Sequence, residues 1–389
     1  VGREKMKITF LSNFYNHHQM PLSRSLNKHL NGDYSFIATI PMDSERKNMG
    51  YKEISESFVS QYDNDEDGCD YAINNADVVI YGSAPFNLIK KRLRKKKLVY
   101  QYSERIFKIK PPKYQMPLRA IKYWFYKGRF SNMYLLCASA FTYADYAQTK
   151  TFINRGYKWG YFPETKRYDL EDLFQKKEKT RILWVGRFLD WKHPDDAIKV
   201  AKLLKDSGYD FHLDMVGTGE MENTLKSMAD SMNLNDHVTF TGPVQSDKVR
   251  GFMERAGIFL FTSDRQEGWG AVLNESMNSG CAVVASHAIG SVPFLMKNKA
   301  NGLIYPSGKI EKMFEKVKYL LDNPDEQKRM GEAAYKTIVE EWNAEIAAIR
   351  IIELSHKILN GEKYPDMYES GPCSKAEIVD DEWFETQSD

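Results

Sequence analysis

The segment EGWGAVLNESMNSG, Glu267–Gly280, constrains the fold of this chain more than any other. Before it, Ile258–Ser263 (IFLFTS) has the pattern of a short buried strand, and within it Leu273–Ser279 is predicted as a helix that the final glycine ends. The loop between strand and helix carries Gly268 and Gly270. A strand, a glycine-rich loop and a helix in this order predict one unit of a parallel sheet, where ligands bind at the carboxyl ends of the strands.

Two glutamates in this segment, Glu267 and Glu275, are predicted to face that crevice. Exposed glycine amides at a helix N-terminus suit a phosphate, and a carboxylate accepts hydrogen bonds from ribose or sugar hydroxyls. Taken alone, the spacing is equally consistent with a pair of surface glutamates. Whether the two glutamates belong to a ligand site or form a solvated surface pair therefore depends on the motifs around them.

Strands and helices alternate on both sides of this segment. Glycine-rich or basic loops follow the first two predicted strands, with Gly186, Arg187 and Lys192 after the first and Gly217-Thr-Gly219 after the second. The predicted strands are Ile182–Val185, Phe211–Val216, Val238–Thr241 and Ala282–Ala285, and the predicted helices begin at Pro194, Met221 and Lys248. This alternation predicts a parallel sheet with right-handed crossovers.

Five motifs in this half resemble one known family. They are VGRFLDWKHPDDAI, VGTGEM, FTGPV, the EGWG…NES block and NGLIYPSG, spread from Arg181 to Trp342. The region resembles the GT-B glycosyltransferases of family 4, also grouped as glycosyl transferases group 1, which transfer a sugar from a nucleotide donor with retention of anomeric configuration. One departure stands at Ser291–Phe294, where members of the family commonly have a glutamate.

The resemblance implies roles for particular residues. Arg187 and Lys192 are expected to bind the donor diphosphate, and Glu267 and Glu275 to contact the donor sugar and the ribose. The full predicted donor-binding set is Gly186, Gly217, Gly219, Gly268, Trp269, Gly270, Asn274 and Glu275. Independently of the resemblance, fixed cations aimed at a leaving diphosphate lower the barrier to its departure. No metal ligand set is predicted.

The N-terminal half is predicted to be a second α/β unit. Its predicted strands are Ile8–Leu11, Phe36–Ile40, Val78–Tyr81, Leu98–Tyr102 and Tyr134–Ala138. His17 and His18 follow the first strand and are acceptor-side candidates, with a loop histidine of no such role as the alternative. Glu104 falls where many relatives have a His-Asp pair at the reaction centre, so it is the fourth catalytic candidate after Arg187, Lys192 and Glu267. Its alternative is a salt bridge with Arg105 or Lys108.

These observations predict an α/β protein of the GT-B class, with two Rossmann-like domains facing a central cleft. The predicted acceptor-side domain is 1–163 and the predicted nucleotide-sugar domain is 164–342. A crossover helix and an acidic tail, 343–389, are expected to return to the first domain. At 389 residues the chain is long enough for two ordinary cores.

Charge is uneven along the chain, with a net +12 for residues 1–160 and −10 for residues 161–389. Between Val78 and Leu135 there are fifteen basic residues and one acidic residue, interleaved with aromatic side chains. Such a surface suits an anionic membrane. The alternative is a solvated helix end over Lys90–Lys97 with the aromatic residues in the core. Nucleic acid is not an expected partner, because no nucleic-acid-binding motif accompanies the basic segment.

The predicted activity is that of a retaining hexosyltransferase, which moves a sugar from a nucleotide-sugar to a hydroxyl acceptor in bacterial cell-surface polysaccharide or glycolipid synthesis. A UDP-sugar donor is favoured, a GDP-sugar is the alternative, and no further cofactor is predicted; the acceptor is expected to be lipid-linked or an oligosaccharide. The alternatives are a nucleotide-sugar-binding protein without turnover and a nucleotide-sugar epimerase. Four cysteines without metal spacing and no signal-peptide pattern predict a cytoplasmic protein, peripheral on the inner face of the plasma membrane if it docks there.

Overall fold

Residues 6–41 and 56–384 are described by the computed structural model, and they form two compact units. The first unit runs to Glu164 and includes the later segment Asn343–Asp380. The second unit is Thr165–Trp342 together with the described tail residues Asp381–Phe384. In the described part of the segment 343–389, which is predicted to return to the first domain, the residues up to Asp380 belong to the first unit and Asp381–Phe384 to the second.

Seven parallel strands form the sheet of the first unit, in the order β3-β2-β1-β4-β5-β6-β7. Both faces of a parallel sheet are normally covered, so its inner strands are continuous apolar runs, and β1, β4 and β6 are buried throughout. The strands are β1 Ile8–Ser12, β2 Tyr34–Ala38, β3 Val59–Gln61, β4 Val78–Tyr81, β5 Leu98–Ser103, β6 Met133–Cys137 and β7 Gly156–Lys158.

The first unit also holds the helix that follows the second unit in sequence. Ala344–Leu359 packs against Met20–His29, and the Glu345 carboxylate accepts hydrogen bonds from Ser25, Lys28 and His29. The helices of this unit are Met20–His29, Glu66–Asn75, Asn87–Arg94, Met116–Tyr123, Thr142–Gln148 and Ala344–Leu359, with 3₁₀ turns at Tyr62–Asn64 and Lys113–Gln115 and a π turn at Trp124–Gly128.

Beyond this helix the chain stays on the first unit as far as Asp380. Backbone bonds join Lys158 to Cys373 and Ser374, and Ala376 donates to the Gly156 carbonyl. The tail therefore covers the outer edge of β7 in antiparallel register.

Six parallel strands form the sheet of the second unit, in the order β10-β9-β8-β11-β12-β13. The strands are β8 Glu178–Val185, β9 His212–Val216, β10 Val238–Gly242, β11 Ala256–Phe261, β12 Ala282–Ser286 and β13 Leu303–Tyr305. The helices are Leu170–Gln175, Pro194–Asp206, Glu222–Ser231, Ser246–Arg255, Val272–Asn278, Val292–Leu295, Ile310–Asp322 and Pro324–Glu340, with a 3₁₀ turn at Asp190–Lys192.

Each sheet has one point where the strand order reverses. In the first unit β1 lies between β2 and β4, and in the second β8 lies between β9 and β11. In open α/β sheets, ligands bind in the crevice that such a reversal opens at the carboxyl ends of the strands. The prediction of two Rossmann-like α/β domains is confirmed.

The predicted strands are all present; Val78–Tyr81 has the predicted bounds, and the other strands have shifted ends. β8 begins at Glu178 rather than Ile182. Its first four residues, EKTR, are polar and mostly exposed, so the apolar pattern used for the prediction did not include them. Three strands were not predicted, β3, β7 and β13, and each has only three residues. Runs this short give no periodic signal.

The four cysteines are buried and free. Within residues 6–41 and 56–384, we find no helix that combines the length and the hydrophobicity of a membrane span.

Arg92 shows that part of the basic segment belongs to the core. Its side chain is fully buried, and its guanidinium donates five hydrogen bonds to the carbonyls of Ile73, Ala76, Asp77 and Leu98. Burial lowers the pKa of Arg92 to about 10, so the group stays charged at neutral pH. Arg92 therefore ties the helix Asn87–Arg94 to the sheet instead of forming part of a cationic surface.

Replacing Arg92 with Met should destabilise the first unit by about 3 kcal/mol or more, because several buried carbonyls lose their donors and each unsatisfied group costs about 1–3 kcal/mol. Lys91→Met is the matched control, since Lys91 is exposed on the same helix and such surface changes cost at most about 0.5 kcal/mol. Urea unfolding of both variants measures the difference. Equal midpoints for the two variants would contradict the structural role of Arg92.

Candidate functional site

An ion pair joins the loops that follow β8 and β11 in the second unit. The Lys192 ammonium donates to Glu267 Oε2, and the two side chains are only 15% and 12% exposed. Ser263 Oγ donates to the same carboxylate oxygen at 3.0 Å. Two of the predicted catalytic residues therefore meet at the point where the strand order of this sheet reverses.

Two residues that sequence reasoning missed hold the Lys192 loop in place. Trp184 Nε1 donates to Thr262 Oγ1 at 2.8 Å, and Thr262 Oγ1 donates to the Lys192 carbonyl at 2.6 Å. Thr262 is buried directly after β11. The polar pair Thr262-Ser263 after an apolar strand is the signal that could have revealed this connection.

A second contact ties the same loops together. The Asp264 amide donates to the Trp191 carbonyl at 3.0 Å, and Asp264 Oδ2 lies 3.5 Å from His193 Nε2. The carboxylate of Asp264 raises the pKa of His193 above its ordinary value, although burial opposes this shift. His193 also adopts φ +47° just before Pro194 starts the next helix. Lys192 is thus fixed from both sides.

Arg187 differs from Lys192 in its surroundings. It follows Gly186 in the loop after β8, and its side chain is exposed. In the part of the chain that the structure describes, its guanidinium makes no hydrogen bond or ion pair. Arg187 can therefore reach a ligand phosphate without breaking an existing contact.

The loop Gly217-Thr-Gly219 packs directly on the loop after β8. Gly217 has φ +141°, and a Cβ there would lie 1.9 Å from the Gly186 carbonyl oxygen. A Cβ on Gly219 would lie 2.6 Å from the Phe188 carbonyl oxygen. Because only glycine permits this approach of two backbones, the two predicted glycines shape the crevice through the loop that carries Arg187.

The residues of the EGWG…NES block divide into buried and accessible members. Trp269 is fully buried, and its Nε1 donates to the buried Asn274 Oδ1 at 2.8 Å. Gly268 is also buried, whereas Gly270 and Glu275 are partly exposed. Trp269 and Asn274 therefore fix the loop from inside the unit, while Glu275 presents a carboxylate from the first turn of its helix.

The departure from the family pattern at Ser291–Phe294 has a structural counterpart. Ser291 Oγ donates to the Trp269 carbonyl at 2.6 Å, and the Phe294 ring stacks on Trp342 with centroids 5.7 Å apart. This chain fills the position with an aromatic cluster around Trp269.

In the first unit, a cavity of about 450 Å³ opens at the carboxyl ends of β1, β4 and β5. His18 and Glu104, two of the predicted residues, both line it together with Tyr161. Tyr161 donates to Glu104 Oε1 at 2.6 Å, and Lys108 lies 3.0 Å from Glu104 Oε2. Arg105 pairs instead with the buried Asp145 at 3.2 Å.

The rings of His17 and His18 lie against each other, with centroids 4.0 Å apart and planes tilted by 45°. Burial lowers the pKa of His17, and burial together with the neighbouring His17 lowers the pKa of His18 to about 3. A base with so low a pKa is a poor proton acceptor at neutral pH. His18 is therefore suited to hydrogen bonding, and Glu104 is the stronger candidate for proton transfer in this cavity.

Gln101 and Tyr161 were missed as lining residues of this cavity. Gln101 is a single polar residue in the apolar strand LVYQYS, and this is the sequence signal that could have identified it.

A larger groove of about 970 Å³ lies beside the tail at Tyr364, and none of the predicted site residues lines it. The two groups of predicted residues, Arg187 to Glu275 and His18 with Glu104, belong to different units.

Comparison with known proteins places the second unit in context. The family model described as glycosyl transferases group 1 matches residues 166–337, which confirms the predicted resemblance to this group over that region. An uncharacterised glycosyltransferase from Haemophilus influenzae is 30% identical over 175 residues, which are 43% of this chain and 49% of that protein.

A second relative is the GDP-mannose-dependent alpha-(1-6)-phosphatidylinositol monomannoside mannosyltransferase of Mycobacterium tuberculosis. It is 23% identical over 193 residues, which are 48% of this chain and 50% of that protein. The chain thus spans about half the length of these curated relatives.

Among solved structures, the Anabaena protein HepE in complex with UDP has a TM-score of 0.68 at 14% identity. The match covers 90% of this chain and 100% of HepE. At this identity the likeness concerns the fold, and it extends over both units.

Proposed function

We propose that this chain is a glycosyltransferase that moves a sugar from a nucleotide-sugar donor to a hydroxyl acceptor. The observation that carries the proposal is the Lys192–Glu267 ion pair at the strand reversal of the second unit, with Arg187 exposed on the same loop as Lys192, inside the region that matches glycosyl transferases group 1. Demonstrated transfer of sugar to an acceptor is the test. Donor binding without transfer, or isomerisation of the donor, would favour the two alternatives.

The two cations fit the charge that develops when the sugar–phosphate bond breaks. Arg187 offers a planar fork of donors and Lys192 a compact ammonium, and such fixed donors act most strongly on charge that grows in the transition state. Since these side chains supply positive charge themselves, we propose that the reaction needs no metal ion.

The two glutamates have different surroundings and, we propose, different partners. Glu267 is held by Lys192 and Ser263, which orients its carboxylate toward the sugar next to the diphosphate. Glu275 stands on the helix Val272–Asn278, where its carboxylate accepts from the ribose hydroxyls. We also propose membership in family 4, with retention by a front-face route in which the departing phosphate helps to deprotonate the acceptor.

We assign the acceptor to the cavity of the first unit. Glu104 and the Tyr161 hydroxyl line this cavity with groups that can hydrogen-bond to a sugar or another polyol. The favoured donor is a UDP-sugar, as HepE binds UDP; a GDP-sugar is the alternative, as the mycobacterial relative depends on GDP-mannose. Because that relative acts on a phosphatidylinositol mannoside, bacterial glycolipid or polysaccharide synthesis is the proposed setting.

A further observation supports docking of the first unit on anionic membranes. Leu118, Ile121 and Trp124 are 73%, 65% and 53% exposed, and Tyr114 and Phe125 extend the same apolar ridge. No acidic residue occurs between Glu104 and Asp145. An exposed apolar ridge among cations is the pattern of a segment that lies in the membrane interface, so we propose that this ridge inserts there.

The first prediction for this function concerns the diphosphate ligands. Arg187→Ala should lower kcat roughly 10²–10³-fold, as expected when one donor to a developing charge is lost. Arg187→Lys, the matched control, keeps the charge and should recover part of that loss. Steady-state transfer kinetics measure both, and thermal unfolding should stay at the wild-type temperature because Arg187 is exposed. Wild-type turnover in Arg187→Ala would refute the assignment.

The second prediction separates the two glutamates. Glu275→Gln should weaken free nucleotide and nucleotide-sugar alike, by about tenfold or more, since a hydrogen bond to a charged group is worth about 1.5–3 kcal/mol. Glu267→Gln should weaken the intact donor more than the free nucleotide. Calorimetry with both ligands tests this, with Glu311→Gln as the control, because Glu311 is an exposed residue of the helix Ile310–Asp322. Equal losses for both ligands in both variants would exclude the division of roles.

The third prediction concerns the apolar ridge. Leu118→Ser combined with Ile121→Ser should reduce partition onto anionic vesicles at least about tenfold, because burying each of these side chains is worth about 1.5–3 kcal/mol. Ile153→Ser is the control, since Ile153 is 58% exposed elsewhere on the same unit. Vesicle sedimentation at low salt gives the comparison. A wild-type protein that stays in the supernatant, or an equal loss in the control, would end the membrane proposal.

A further inference from the structure

The C-terminal residues Asp381–Phe384 lie against two loops of the second unit. The Asp381 carboxylate accepts from Arg265 Nη2 at 3.1 Å, and the Asp381 carbonyl lies 3.1 Å from His287 Nε2. Trp383 Nε1 donates to the His287 carbonyl at 3.1 Å, and the Phe384 ring lies 6.1 Å from the His287 ring. Arg265 follows β11 and His287 follows β12, so a single short segment joins both loops.

The hydrogen bonds of His287 define which of its two ring nitrogens carries the hydrogen. The Ser307 amide donates to His287 Nδ1 at 2.9 Å, so Nδ1 is the acceptor nitrogen. In a neutral imidazole the other nitrogen then carries the hydrogen, and Nε2 donates to the Asp381 carbonyl. The His287 side chain is bonded through both nitrogens, and the residue is buried. The segment is therefore held by defined hydrogen bonds to a buried residue.

Both loops converge on Glu267. Arg265 lies inside a turn in which the Asp264 carboxylate accepts from the Gln266 amide at 2.8 Å and the Asp264 carbonyl accepts from the Glu267 amide at 3.1 Å. From the other side, Gly290 donates to the Glu267 carbonyl at 3.2 Å. The backbone of Glu267 is thus held by one loop that Asp381 anchors and by another that His287 begins.

We propose that Asp381–Phe384 is a strap that positions Glu267, with Asp381 and Trp383 as positioning residues for the donor sugar. The inference rests on the proposed function for the role of Glu267, but the anchoring of the two loops is independent of it. A loosened strap leaves the Lys192–Glu267 pair present but less well oriented. Misplacement of about 1 Å is enough to slow a reaction about 100-fold, so small displacements of this carboxylate carry a large kinetic effect.

The strap acts on the sugar side of the donor. Glu275, the proposed ribose ligand, stands on the helix Val272–Asn278, and its backbone carbonyl is bonded to Ser279 and Arg250. None of these contacts involves the strap. Loss of the strap should therefore reduce sugar transfer more than nucleotide affinity.

The test compares three single substitutions, each made in the full chain, and one shortened chain. Asp381→Asn removes the charge that faces Arg265. Trp383→Phe removes the indole N–H that faces the His287 carbonyl and keeps a smaller aromatic ring in its place. Glu369→Gln is the control, because Glu369 is an exposed acidic residue of the same tail in the first unit. A chain ending at Asp380 provides the complete removal.

The first readout is hydrogen exchange of the ligand-free protein, which requires no activity. We expect the amides of residues 264–270 and 287–291 to exchange at least about tenfold faster in Asp381→Asn, Trp383→Phe and the shortened chain, since local opening governs their protection. The control should exchange like the wild type. Unchanged exchange in all three strap variants would overturn the proposal.

The second readout separates positioning from general stabilisation. We expect kcat for sugar transfer to fall about tenfold or more in the strap variants, with the dissociation constants of UDP and GDP within about twofold of wild type. Nucleotide affinity that falls in parallel with kcat would overturn the positioning role. If the wild type transfers no sugar from any nucleotide-sugar, the proposed function fails, and the exchange measurement still decides whether the strap holds the two loops.

Discussion

The ion pair between Lys192 and Glu267 is the interaction on which the arrangement of the second unit's site depends. It joins two loops that are 75 residues apart in sequence at the reversal of the strand order. A largely buried ion pair needs further hydrogen bonds to offset its desolvation, and here Ser263 supplies one to the carboxylate. Around this pair, Thr262 and Trp184 fix the lysine loop, so the two charges form the centre of a connected network.

The network also explains why the two cations of the site differ. Lys192 is committed to a carboxylate, so a bound diphosphate would share this ammonium with Glu267. Arg187 is exposed on the same loop and brings its full set of donors to a ligand. The site therefore combines one pre-positioned charge, which costs no reorganisation, with one adaptable charge.

Much of the fold followed from the sequence because apolar runs, glycine-rich loops and polar helix starts alternate along it. The three strands that were missed, β3, β7 and β13, are too short for that pattern. For the site, the sequence indicated Lys192 and Glu267 as neighbours of one crevice but not their direct pairing, which depends on how two distant loops close. Trp269 was predicted to bind the donor because it lies in the EGWG…NES block. No feature of the sequence indicated that its side chain is buried and that its indole nitrogen donates to Asn274.

The charge of the first unit gives the clearest case in which sequence counts mislead. Arg92 and Arg105 are buried and bonded inside the unit. Lys127 donates to the Tyr146 hydroxyl at 2.7 Å, and burial lowers its pKa to about 7, so it is only partly charged at neutral pH. The net +12 of residues 1–160 therefore overstates the cationic surface. What distinguishes residues 109–126 is instead the exposure of their large apolar side chains, so the proposed docking at a membrane has its stronger physical basis in apolar insertion, with surface cations as its support.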